Sequence, residues 1–175
     1  MNFQKETITE NEVKGWMEKI NNVKKGDVDL SRDEDLSIAI MNLISLEEHF
    51  YFTAMKTENQ KYLEMLNSVR KLRIELLKKI VTDPKGEEWC ISKHLLAGSM
   101  RLMEVGTKEL SKGNKEEANS FFKQAFNLYS LFFAINLKMI KTEKLHYSEE
   151  LEKEGKIMGR FSAIMKKIVD CCKEW

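Results

Sequence analysis

Between Phe121 and Ile140 the chain carries Phe121, Phe122, Phe126, Leu128, Tyr129, Leu131, Phe132, Phe133, Ile135, Leu137 and Ile140. Wound as a helix, these side chains cover nearly the whole circumference, and a helix that is apolar all round has to be buried all round. The segment therefore needs either the centre of a helical bundle or a partner chain against its outer face. On the second reading Phe126, Tyr129, Phe132 and Phe133 are the candidate interface, and the chain forms a homodimer or meets another protein. The most apolar stretch, Leu128 to Ile140, is interrupted by Ser130, Asn136 and Lys138 and falls short of the ~20 residues a membrane span requires. No membrane partner is expected.

The remainder of the chain also reads as helix. A single proline, Pro84, stands among many Lys, Glu, Leu, Ile and Met residues, a composition that favours long helices over strands. Thr9 with Glu12 forms a capping box ahead of Val13, Trp16, Met17 and Ile20, which predicts a short helix and loop over 1–30. Ser31 with Glu34 starts a helix whose seam runs Leu36, Ile40, Leu43, Glu47, Phe50, Ala54. Thr57 with Gln60 starts another, with the seam Tyr62, Leu66, Val69, Arg73, Leu76, Ile80. So short a connection predicts an antiparallel hairpin over 31–82. Thr82-Asp83-Pro84-Lys85-Gly86 breaks the chain. A helix from about Glu87 to Lys112 is stopped by Gly113, and Asn114 with Glu117 restarts a long helix to about Glu143, a second hairpin over 87–143. Leu151, Met158, Phe161, Met165, Ile168 and Cys172 mark a C-terminal helix over 148–175. The expected fold is all-α and single-domain: a five-helix bundle of two antiparallel hairpins and a C-terminal helix, with the short N-terminal helix docked before them.

Charge and cysteine usage narrow the function classes. The 29 basic and 28 acidic residues nearly cancel, which removes the global argument for a nucleic-acid partner. Cys90, Cys171 and Cys172 form no C-x-x-C and no zinc spacing, so reduced thiols and a cytoplasmic location are expected. The N-terminal residues lack the apolar core of a signal peptide. Glu143-x-x-His146 is the only Glu-x-x-His, whereas a bundle di-metal site needs two such pairs plus further glutamates. No metal set and no cofactor motif is present. There is no Gly-x-Ser-x-Gly and no phosphate-binding glycine loop. Cys90 and His94 share a face one turn apart, a spacing that can activate a thiol when the two meet, but inert packing is the expected reading. No catalytic residue is assigned.

Two polar constellations remain. Glu47 and Arg73 interrupt apolar seams, where an unpaired charge is expensive. Folding the hairpin about residue 57 sets Glu47 opposite residues 67–68, nearer Arg70 than Arg73. The bland reading is a polar contact inside the helical layer, and the functional one is a pocket with Glu47, Glu48, His49 and Arg73. On the next helix Trp89, His94 and Arg101 flank the small residues Ala97, Gly98 and Ser99. Either His94 and Arg101 bind an anion, or Arg101 pairs with Glu104 one turn on. Glu47, His49, Arg73, Trp89, His94 and Arg101 together are the candidate lining of a polar pocket.

Leu102-x-x-Val105-Gly106, Gly113-Asn114, Ala118-x-x-x-Phe122 and Ala125 resemble one tetratricopeptide repeat, over about residues 99–132. The family's small and aromatic crossing positions fall on Gly106, Ala118, Phe122 and Ala125. Leu102, Glu109 and Ser130 depart from its usual Trp, Tyr and Pro. The resemblance implies a closely crossed hairpin and a protein- or peptide-binding surface. The leading expectation is a non-enzymatic interaction or scaffold module. The alternative is a ligand-binding protein or enzyme using the polar pocket.

Overall fold

A computed structural model describes Gly15, Glu18 and residues 30–139. Among the described residues no strand occurs. The four helices over 30–139 are α1 (Ser31–Thr57), α2 (Lys61–Leu77), α3 (Glu88–Ser111) and α4 (Lys115–Asn136). The helices expected over 1–30 and 148–175 lie outside the described residues, apart from Gly15 and Glu18, which are helical.

The helix boundaries follow local chemistry, though not always the chemistry the sequence advertises. Thr57 does not cap α2. It is the last residue of α1, its hydroxyl donating to the Thr53 carbonyl at 2.8 Å, and Glu58 then turns the chain at φ 56°. The Asn59 side chain receives the Lys61 N–H at 3.0 Å and opens α2 instead. Asn114 likewise does not cap through its side chain, whose amide donates to Glu109 at 2.7 Å. Gly113 does stop α3. At φ 86° it lets its own N–H reach the Leu110 carbonyl and the Asn114 N–H reach Glu109, the paired bonds that close a helix end. The same pair ends α4 at Asn136 instead of near Glu143. Lys138, at φ 55°, donates to Ile135, and Met139 donates to Ala134. Lys138 accepts this strained conformation while its ammonium binds Glu88 at 2.8 Å across the chain.

Two hairpins, α1–α2 and α3–α4, stand side by side. The starts of α1 and α3 and the ends of α2 and α4 share one end of the molecule, the base. The core lies there, where Ile40 and Met41 meet Leu77, Ile80, Val81, Leu96, Phe132 and Phe133. Phe132 and Phe133 cross edge-on with centroids 5.1 Å apart, a favoured aromatic geometry. Phe132, Phe133, Ala134 and Ile135 are four consecutive buried residues, so α4 is enclosed on every side at this level, as its composition demands.

Buried serines let the helices approach closely without orphaned hydroxyls. Ser99 donates to the Ala125 carbonyl at 2.8 Å, Asn136 donates to Ser92 at 3.1 Å, and Ser37 shares a 2.7 Å hydrogen bond with Tyr129. At the α3–α4 crossing Gly106 lies against the ring of Phe122. A methyl group on Gly106 would lie 2.6 Å from Cε1 of Phe122, and Ala118 and Ala125 are buried.

Candidate functional site

α1 carries two seams. Leu36, Ile40, Leu43, Glu47, Phe50 and Ala54 lie on the side of α2. A second series, Ser37, Met41, Ile44, Glu48, Tyr51 and Met55, steps by four and three along an adjoining face. Ser37 and Met41 on this face are buried against α3 and α4, and Ile44 packs at the edge of the core. Glu48 meets Arg101 of α3 at 2.6 Å, and Arg101 also donates to Ser45 at 2.6 Å. Toward the hairpin tips the same face is left open: Tyr51 is 48% exposed, Phe52 58% and Met55 53%. The rings of Tyr51 and Phe52 pack edge-on, 5.2 Å apart, with no core beneath them.

α3 repeats the pattern. Trp89, Leu96, Met103 and Leu110 recur every seven residues and so share a stripe. Trp89 and Leu96 pack into the core, whereas Met103 and Leu110 are each 49% exposed. Both helices thus extend their core-facing stripes past the point where the core ends. Large side chains with aromatic and thioether surfaces, rimmed by Glu48 and Arg101, have the composition of a protein-contact surface.

The six residues expected to line a polar pocket go to separate places. Arg73 forms a two-pronged ion pair with Glu47, Nε to Oε1 at 2.8 Å and Nη2 to Oε2 at 3.2 Å, inside the α1–α2 seam. The expected register was off. The turn is Glu58–Gln60, centred on residue 59, so the residue level with Glu47 is 71 (twice 59 less 47). Both long side chains lean toward their own helix N-termini, which closes the remaining gap. His49 is exposed beside Phe50, with ring centroids 6.0 Å apart. His94 is exposed on α3. Arg101 pairs with Glu48 of α1, where the sequence offered Glu104. Trp89 lines a shallow depression of about 460 Å³ at the base with Lys78, Val81, Thr82, Asp83 and Pro84. A second depression of about 350 Å³, on the α1–α2 hairpin, contains none of the six.

Of the expected interface residues, Phe132 and Phe133 belong to the core and are closed to a partner, while Phe126 and Tyr129 are half-buried beside it. Among the described residues, no group of three or more His, Cys, Asp or Glu side chains is placed to hold a metal ion. None of their helices is long and apolar enough to cross a membrane. Cys90 is an exposed free thiol.

The open face on α1 was readable. Its signal is the second 4-3 series through Tyr51 and Met55, which the first seam overshadows. Comparison with protein-family models, with curated proteins and with solved structures finds no match.

Proposed function

We propose that this chain is a helical protein-interaction module of the cytoplasm, acting without catalysis, that binds an amphipathic helix of a protein partner on the tip halves of α1 and α3. The observation that carries the reading is the open apolar face: Tyr51, Phe52 and Met55 on one helix, Met103 and Leu110 on the other. A helix presenting apolar side chains at i, i+3, i+4 and i+7 suits a surface made of two helical stripes. Met and aromatic side chains supply adaptable, rigid-edged contact area of the kind that anchors such complexes. The closely crossed α3–α4 hairpin, with its repeat-like small residues, serves as the scaffold that holds the α3 stripe in place. No nucleic acid takes part.

The test uses full-length protein and a fluorescein-labelled synthetic amphipathic helix with leucine at i, i+3, i+4 and i+7. Phe52→Glu with Met103→Glu is expected to weaken binding of this probe at least tenfold while circular dichroism stays unchanged. Binding by the wild type is expected to vary little with salt, since no phosphate counterions are released. Equal binding by both proteins removes the reading, and a steep salt dependence redirects it to a charged partner.

A further inference from the structure

We infer that two copies of this chain pair through the outer flank of the α1–α2 hairpin, about a two-fold axis that passes Phe50 and Ser68. This surface is separate from the open tip face, and the inference does not rest on the interaction reading.

The first observation is a seam on the side of α1–α2 away from α3. Along α2, Lys61, Met65, Ser68, Leu72 and Glu75 follow in steps of four, three, four and three, and all five are exposed. On α1, exposed Leu46 and half-buried Phe50 flank the same side one turn apart. Phe50 joins Met65, Ser68 and Val69 in walling the depression of about 350 Å³. Helical spacing turns this flank of α1 away from Ser45 and Glu48, the residues that meet Arg101 of α3.

The second observation is the order of charges. Lys61 and Glu75 stand seven residues to either side of Ser68, about 10 Å along the axis, and carry opposite signs. Met65 and Leu72 stand three and four residues to either side. An antiparallel pairing about Ser68 therefore sets Lys61 against Glu75 of the second copy twice, with two Met65–Leu72 contacts between them. A parallel pairing would set each charge against its like. Such self-complementarity is what a two-fold interface requires.

The third observation is level. The α1–α2 turn is centred on residue 59, so Phe50 is level with Ser68, and one axis serves both helices. Phe50 then meets its own copy, and paired rings are favoured. Ser68 is small enough for the two α2 helices to approach, and its hydroxyl already donates to the Glu64 carbonyl at 3.0 Å. Area sets the strength. A flank two helices wide, about 20 Å, along the 17 residues of α2, about 26 Å, offers about 500 Å² per copy. A total of about 1,000 Å² lies at the lower limit of specific interfaces, which makes the dimer reversible, with a Kd of about 10–100 µM.

The test is sedimentation velocity of full-length protein at about 50 mM salt, where charge contacts are little screened. The wild type should dimerise with a Kd in that range. Lys61→Glu and Glu75→Lys each bring like charges together at both ends of the seam, and each should weaken self-association about tenfold. An equimolar mixture of these two variants opposes the altered charges and should associate as tightly as the wild type, as a one-to-one heterodimer. The double variant, Lys61→Glu with Glu75→Lys, should dimerise like the wild type. Recovery in the mixture depends on the antiparallel register, and neither a change in net charge nor a folding defect produces it. The inference is overturned if the wild type is still monomeric at about 1 mM. It is also overturned if the single variants dimerise like the wild type, or if the mixture associates no better than either variant alone. Dimerisation that Phe52→Glu with Met103→Glu abolishes overturns it too, and moves the second copy to the tip face.

Discussion

Arg73 is 3% exposed, and its guanidinium is held by both oxygens of Glu47. Removing one partner of such a pair leaves the other charge buried alone, which costs about 3–5 kcal/mol, whereas replacing both with apolar residues is often neutral. Glu47→Ala is therefore expected to lose about 3 kcal/mol in urea unfolding, the lower end because the Glu47 side chain keeps 14% exposure. Glu47→Leu with Arg73→Met should return to within about 1 kcal/mol of wild type. Additive losses in that cycle would show that the two residues do not act as a pair.

Glu88 gives a pH-dependent counterpart. Burial pushes its carboxyl up, but the Lys138 ammonium and the Lys85 backbone N–H outweigh burial and hold it below the ordinary value of 4.5. A depressed carboxyl contributes stability above its unfolded value, and that stability is lost as pH falls through the folded one. Urea midpoints should thus fall below about pH 4.5 in the wild type, and Glu88→Gln should flatten that limb. An unaltered limb in the variant would assign the acid sensitivity elsewhere. At this scale the sequence told only part of the story. It marked Glu47 and Arg73 as inward charges, but their pairing depends on where three turn residues place the hairpin axis.

The α3–α4 hairpin is the element whose geometry was most legible. Its cross-pairs, Ser99 with Ala125 and Gly106 with Phe122, average to positions 112 and 114, so the hairpin folds about Gly113. Glycine there needs no local partner to be recognised, since few other residues accept its φ of 86°. Capping boxes were less reliable. Thr57 and Asn114 have the right residues at the right spacing, yet Thr53 and Glu109 capture their side chains first. The crossing itself separates two glycines that look alike in sequence. Gly106→Ala drives a methyl into the Phe122 ring and is expected to cost about 1–3 kcal/mol, in spite of alanine's helix preference. Phe122→Leu in the same chain should recover part of the loss. At Gly98 the added methyl meets only the Cδ1 tip of Leu128, at 3.1 Å, which can move aside. Gly98→Ala should therefore be neutral, or stabilising by up to about 1 kcal/mol. Thermal melts of the two single variants that shift together would remove the distinction.

Across the whole molecule, burial is graded from base to tips, and the grading connects stability to the proposed function. How the two hairpins meet was not legible, because α1 has two 4-3 seams and no local rule says which one faces α3. Arg101 shows the difficulty. Glu104, one turn away, was the obvious partner by spacing, yet Glu48 of α1 holds it. That contact is half solvated, with side-chain exposures of 48% and 42%, and exposed ion pairs add only about 0–1 kcal/mol to global stability. It sits, however, where the packed base gives way to the open tips. Arg101→Ala should leave the urea midpoint nearly unchanged and act locally. Hydrogen exchange is the measurement that separates these effects, because it reads opening amide by amide. Amides at the base, such as those of Leu77, Leu96 and Phe132, should exchange only through global unfolding in both proteins. Amides from Thr53 to Thr57 and from Lys108 to Ser111 should exchange faster in the variant, since the tie nearest them is gone. Uniform acceleration at base and tips would mean that Arg101 belongs to the global core. Acceleration confined to the tips would mean that the proposed interaction face sits on the part of the molecule that opens most readily, where a helix can be exchanged without unfolding the base.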